Sequence, residues 1–289
     1  MFASICATFK RYDVIHYHAE GPAAMLWLPH LFGIRTVVTI HGLDWQRAKW
    51  GGFAKKYLKL GEKVAAKYAD EVIVLSKNVK EYFKNTYGRE TRYIPNGIDK
   101  PDIKEANIIK EKYNLERDSY ILYLGRIVPE KGLHYLIEAF TNTDTNKKLV
   151  IAGGSSHTNK YLEEIKSKSK KDERIIMTGF VQGQELEELY SNCFAYCLPS
   201  DIEGMPMSLL EAMSYGKKCL ISDIPENIEV AGHYALTFKM SDVEDLKSKL
   251  EILLSEKDTL ESNEIQEHIL DMCNWDSVVD KTEKLYYKD

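Results

Sequence analysis

The sequence has no C-x-x-C pair, no internal repeat, no low-complexity tract and no apolar run long enough to span a bilayer. Without cysteine pairs there is no disulfide framework and no cysteine zinc site. The five cysteines are scattered, and Cys193 and Cys197, which flank an apolar strand-like run, read as buried thiols. The opening stretch MFASICATFKRYD is too short and too broken for a secretory signal. Together these absences place the chain in a reducing cytosol. The G-x-x-x-x-G-K-[ST] phosphate loop is missing, and so is H-E-x-x-H. His16 and His18 share one face of a strand without a third ligand, so they read as core or cleft-lining residues rather than a metal site. With a net charge of −5 over 289 residues, no nucleic-acid partner is expected.

What is present is unevenly distributed. Residues 1–100 carry 16 Lys+Arg against 9 Asp+Glu, and the remainder carries 23 against 35. A basic first third and an acidic remainder suggest two units with different partners. Short β-branched runs (DVIHYHA, RTVVTIH, DEVIVLS, TRYIPNG, then SYILYLG, KKLVIAGG, RIIMTGF, CFAYCLP, KKCLISD) alternate with amphipathic stretches. That alternation predicts βαβ units and parallel sheets. The turn-rich IPNGIDKPDIK (94–104) breaks the rhythm where the charge balance changes sign, which puts a domain boundary near Lys100.

Open parallel sheets bind ligands at the carboxyl ends of their strands, so the loops there matter most. LGRIVPEKG turns at Gly125 and sets Arg126 and Lys131 beside the start of a helix. Two cations with free backbone N–H groups suit a diphosphate, although the same two residues could be solvated surface charges. DIEGMPMSLLEAM holds Glu203 in a turn and Glu211 in the following helix. A carboxylate can accept hydrogen bonds from the vicinal hydroxyls of a ribose or a hexose. The backbone amides of Gly204, Met205, Pro206 (which has none of its own), Met207 and Ser208 frame a turn that could meet phosphate or sugar oxygens. The plain alternative is a loop charge followed by an ordinary helix residue.

EGMPMSLLEAM resembles the E-x7-E motif of retaining glycosyltransferases of the GT-B fold, family 4. The resemblance runs in order along nearly the whole chain: HGLDWQRAKWGGFAKKYLKLGEK, YIPNGID, YLGRIVPEKGLHYLIEAF, LVIAGG, TGFV and CNWDSVVDKTEKLYYK each look like a family element. It implies two Rossmann-like α/β domains facing a cleft. These would be a partial acceptor-side domain over 1–100, a donor-binding domain over 101–270, and a C-terminal helix, 271–289, returning to the first. It implies that Arg126 and Lys131 hold the donor diphosphate, Glu211 the ribose, Glu203 the sugar hydroxyls, and His41 the sugar from across the cleft. The base would rest near Phe180 and Val181. The donor would be a nucleotide diphosphate sugar, with no cofactor or metal required, and the acceptor a glycan or a lipid-linked glycan, as in bacterial capsule and O-antigen assembly. A nucleotide-sugar epimerase and a catalytically silent donor-binding protein are the alternatives.

Two further expectations follow. The stretch 46–68 carries Arg47 and Lys49, 55, 56, 59, 63 and 67 against Glu62, with Trp45, Trp50 and Phe53 at its start. It is either a peripheral contact with the inner face of a membrane or a solvated basic face over a buried aromatic stripe. Family members begin with a strand and a glycine-rich loop that has no counterpart here. The first domain is therefore expected to be N-terminally truncated, leaving a strand near an open edge, and the chain to self-associate or need a partner segment.

Overall fold

The computed structural model describes residues 2–10, 12–47, 50–154, 159–255 and 261–287. The chain divides into two compact units. One comprises Met1–Gly97 with Cys273–Asp289, and the other Ile98–Met272. They are called the N-terminal and central units below.

The N-terminal unit is built on four parallel strands in sequential order: β1 (Val14–His18), β2 (Arg35–Ile40), β3 (Glu71–Val74) and β4 (Arg92–Tyr93). β1 has β2 as its only strand neighbour among the described residues, so it is an edge. β-branched residues bury on alternate faces. Val38, Ile40, Val72 and Val74 face a core completed by Leu26, Ala65 and Phe83. Val37, Ile73 and Ile94 face Val278 and the half-buried Leu285 and Tyr286, so the helix Trp275–Lys284 covers the second face. Gly97 lies so close to the Trp275 ring that a Cβ there would come within 2.2 Å of it.

The amphipathic stretch after β2 is not continuous. A single 3₁₀ turn, Asp44–Gln46, precedes the helix Gly52–Tyr68, with the Gly51-Gly52 pair at the start. Arg47 and Gly51 are both extended, so the chain leaves the 3₁₀ turn and the helix begins only after Gly51, a tolerated N-cap, rather than at Gln46. Lys49 lies outside the described residues. The next helix, Lys77–Tyr87, is bounded by its own chemistry. The Ser76 hydroxyl accepts from Val79 N–H at 3.2 Å, and Gly88 closes the other end at φ 63°.

The central unit holds six parallel strands: β5 (Tyr120–Leu124), β6 (Lys148–Ala152), β7 (Ile175–Gly179), β8 (Ala195–Leu198), β9 (Lys218–Ser222) and β10 (Leu236–Phe238). Their order is β10-β9-β8-β5-β6-β7. The middle strands are almost wholly apolar and fully buried, as a sheet covered on both faces requires. Strand order reverses between β5 and β8. The loops leaving those two strands therefore diverge around a crevice, the place where open α/β sheets bind ligands. The loop after β5 holds Gly125, Arg126 and Lys131, and the loop after β8 holds Glu203.

Candidate active site

Backbone hydrogen bonds, with two glycines packed against carbonyls, tie the loops of the central unit together. Gly125 N–H donates to Ala152 O (3.0 Å) and Ile127 N–H to Gly154 O (2.9 Å). Gly153, at φ 139°, donates to Gly179 O at 2.8 Å, and a Cβ on it would stand 1.9 Å from Gly125 O. Gly132, at φ 65°, closes the turn Pro129–Lys131, and its Cβ would stand 1.9 Å from Pro199 O. Asp201 N–H donates to Glu130 O at 2.9 Å. The loops after β5 and β8 thus meet at van der Waals distance with no side chain between them.

This frame sorts the predicted residues into three groups. Gly125, Arg126, Phe180 and Val181 line one cavity of about 500 Å³ with Leu124, Gly153 and Gly154. Arg126 is half-buried and forms no ion pair with a carboxylate among the described residues. Phe180 is 77% exposed, whereas Val181 is buried. Lys131 and Glu203 form the second group. Lys131 Nζ donates to Glu203 Oε1 at 2.5 Å, with the side chains 14% and 8% exposed. The resemblance assigns these two residues to different parts of a ligand; here each is the other's partner.

The third group is the helix Met207–Ser214. Gly204, Met205 and Pro206 are buried in the turn before it. Pro206 stands at its N-cap without a side-chain cap, so the amides of Met207 and Ser208 have no partner within the helix. The Tyr196 hydroxyl donates to Ser208 Oγ at 2.7 Å, and the Tyr190 hydroxyl to Glu211 Oε2 at 2.7 Å. Burial pushes the Glu211 carboxyl above its ordinary range, and the Tyr190 bond partly offsets this. Neither tyrosine was singled out from the sequence, where nothing local shows that Tyr190 and Tyr196 converge on this helix.

His41 belongs to the N-terminal unit, where it sits in a row of imidazoles. One nitrogen proton bridges His18 Nδ1 and His41 Nε2 at 3.0 Å. The His16 and His18 rings stack at 4.4 Å, and those of His18 and His41 at 5.3 Å. His16 meets the Tyr286 hydroxyl and Thr39 Oγ1, each at 2.8 Å. Burial and the neighbouring imidazoles hold its pKa down to about 4; burial and His18 also lower that of His41. All three line a cavity of about 600 Å³ walled by Ile73, Leu75, Trp275 and Val278.

The loop after His41 is held by two fully buried carboxylates that the sequence reading did not single out for a site. Asp44 N–H donates to Glu20 Oε1 at 3.1 Å. Glu62 accepts from Trp45 Nε1 at 3.0 Å and from the hydroxyls of Tyr82 (2.8 Å) and Tyr87 (2.5 Å). Among the described residues Glu20 Oε2 has no hydrogen-bond partner, and burial pushes the carboxyl up to about 7. A lone acid among the lysines of 46–68 was the one available signal for Glu62.

A two-sheet α/β architecture with a ligand crevice at the strand-order reversal is that of GT-B glycosyltransferases. The model of the glycosyl transferases group 1 family matches residues 105–267, and that of glycosyltransferase family 4 matches 2–100. The chain belongs to the glycosyl transferases group 1 family. It is 29% identical over 246 residues to an uncharacterized glycosyltransferase of Methanocaldococcus jannaschii, covering 77% of this chain and 60% of that protein. It is 28% identical over 233 residues to the Escherichia coli UDP-Gal:alpha-D-GlcNAc-diphosphoundecaprenol alpha-1,3-galactosyltransferase, covering 75% of this chain and 59% of that one. The chain therefore spans about 60% of the length of these curated relatives. Among solved structures, Anabaena HepE in complex with UDP and glucose shares the fold. Its TM-score is 0.85 at 16% identity, over 98% of this chain and 80% of that one. Sucrose-phosphate synthase from Thermosynechococcus elongatus does so with a TM-score of 0.83 at 22% identity, over 99% and 75%.

Proposed function

We propose that the chain acts in a retaining glycosyl transfer from a nucleotide diphosphate sugar to a glycan or lipid-linked acceptor during cell-surface polysaccharide synthesis. The observation that carries this reading is the crevice at the β5/β8 reversal. There Arg126, which forms no ion pair among the described residues, shares a cavity with Gly125, Phe180 and Val181, and the paired Lys131 and Glu203 come from the two loops that flank the reversal. In this reading the base rests on the backbone near Phe180 and Val181, and Arg126 takes the diphosphate. Lys131 leans from Glu203 toward the leaving phosphate, and Glu203 then turns to the sugar hydroxyls. Glu211, oriented by Tyr190, takes the ribose. His41 is assigned to the donor sugar by resemblance.

The bond between the anomeric carbon and the diphosphate oxygen breaks as the acceptor oxygen bonds to the same face. The acceptor proton passes to the departing diphosphate. Positioning and stabilisation of the developing diphosphate charge lower the barrier, so the scheme needs neither a protein nucleophile nor a metal. The sugar is read as a hexose or deoxyhexose. A lipid-linked acceptor such as the one in the E. coli relative's name would bring the chain to the inner face of the membrane.

The test is calorimetry of the purified chain with UDP, GDP and dTDP, followed by mass spectrometry with each nucleotide sugar and a lipid-diphosphate glycan extract. Arg126→Ala is expected to weaken the preferred diphosphate by about 1.5–3 kcal/mol. Binding of none of the three, or unchanged affinity in the variant, removes the diphosphate assignment. Product from donor alone identifies an epimerase, and tight binding without turnover a silent donor-binding protein.

A further inference from the structure

The helix Gly52–Tyr68 carries a surface that glycosyl transfer does not explain. Its 17 residues run for about 25 Å. Leu58, Gly61, Glu62, Ala65 and Ala66 face inward. The opposite face presents Phe53 (86% exposed), Tyr57 (38%) and Leu60 (53%). Spacings of four and three residues put them in one stripe along the helix. Directly beside that stripe lies a second one, Lys56, Lys59, Lys63 and Lys67, all exposed. The sequence left open whether the aromatics here are buried. Trp45 and Trp50 are half-buried, but Phe53 is turned to solvent.

Charge sharpens the contrast. Among the described residues, none of Lys55, Lys56, Lys59, Lys63 and Lys67 forms an ion pair, whereas lysines elsewhere on the surface do: Lys84 with Glu90, Lys110 with Glu116, Lys166 with Glu163. The helix's own acid, Glu62, points inward and is consumed by Trp45, Tyr82 and Tyr87. Lys59 lies 4.0 Å over the Trp45 ring and Lys67 4.9 Å over that of Tyr68. The face therefore combines an apolar stripe with an uncompensated cationic one.

We propose that this face docks in the plane of an anionic lipid bilayer. A nucleic acid would use the lysines but leave Phe53, Tyr57 and Leu60 idle. A bilayer interface uses both stripes at once: apolar side chains sink to the acyl boundary while lysine heads stay among anionic headgroups. No helix among the described residues is long and apolar enough to cross a membrane, so the contact is peripheral. The inference stands on a different surface from the donor crevice and does not depend on the transfer reading.

The experiment is flotation of the purified chain, without nucleotide, on vesicles of phosphatidylcholine alone and of phosphatidylcholine with phosphatidylglycerol. The expected result is flotation with the phosphatidylglycerol vesicles only, reduced by salt. Lys56→Gln with Lys63→Gln is expected to lower partitioning at least tenfold. Phe53→Ser with Leu60→Ser, which keeps every lysine, should lower it by about tenfold as well. All four positions are exposed, and an unchanged thermal melt checks that each variant folds. Absence of flotation overturns the proposal. So does full flotation of the Phe53/Leu60 variant, which would show adhesion to any polyanionic surface.

Discussion

The two units share one plan, a parallel sheet whose strands end in loops, but they fix those loops by opposite means. In the central unit the loops after β5, β6 and β8 are held by backbone hydrogen bonds and by glycines packed against carbonyls. In the N-terminal unit the loop after β2 is held by the buried carboxylates Glu20 and Glu62, beside a row of imidazoles. Backbone groups do not titrate, so a frame made of them is indifferent to pH and intolerant of a single added carbon. A frame made of ionisable side chains tolerates changes of shape better and responds to protons.

The sharpest way to break the comparison is Gly132→Ala. At φ 65° the new Cβ is both strained and within 1.9 Å of Pro199 O. The central unit should lose on the order of 3 kcal/mol or more, together with nucleotide binding. Denaturant titration of the variant checks this, and a loss under about 1 kcal/mol would mean that the loops are not held as described.

A somewhat smaller effect is expected where two loops of the central unit are joined by a charged side-chain pair. Lys131→Ala leaves the Glu203 carboxylate buried without its partner, which should cost about 2–3 kcal/mol in the ligand-free protein. Lys131→Ala with Glu203→Gln should recover much of that, because no unpaired charge remains. Stabilities of the wild type, both single variants and the double variant give the coupling energy, and simple additivity would show that the pair is inert.

The smallest effect tests the pH half of the comparison. Glu20 has its folded pKa raised to about 7, above the ordinary carboxyl value of 4.5. The folded unit therefore binds this proton more readily than the unfolded chain does. Its contribution to stability is complete below pH ~4.5 and is lost as pH rises through ~7. Glu20→Gln should stabilise the unit by on the order of 1–2 kcal/mol at pH 8 and by nothing near pH 4.5. His16 works in the other direction. Its pKa is lowered to about 4, so stability is lost as pH falls from 6.5 toward 4. Removing Glu20 should uncover that fall. Melting temperatures across pH for Glu20→Gln and the wild type read both slopes, and parallel curves would overturn the assignment.

Much of the fold was legible because buried parallel strands leave short continuous apolar runs between amphipathic helices. VVTI, VIVL, ILYL and LVIA read as candidate strands from their alternation with amphipathic stretches, and all four fall on strands with buried apolar side chains. β10 was missed: LTF is three residues long and too short to show any period. The candidate site was legible as loops and as residue types, since glycine, arginine and glutamate beside strand ends carry local signals. The pairing of Lys131 with Glu203 was not. They lie 72 residues apart, and only the β5/β8 adjacency brings them together. Glu62 was hidden for another reason. A glutamate among lysines reads as solvated, and nothing local shows that Trp45, Tyr82 and Tyr87 converge on it.

The N-terminal unit is discontinuous in sequence. Its second sheet face is closed by the helix Trp275–Lys284, and Trp275 itself seats against Gly97. During synthesis the strands β1–β4 leave the ribosome long before that helix exists, while the whole central unit is translated between them. For that interval Val37, Ile73 and Ile94 have no cover from residues 273–287. The order of assembly is thereby reversed relative to the order of emergence: the central unit can finish first, and the unit that began earlier finishes last. A nascent chain stalled before Trp275 should be the form in which chaperones find this protein.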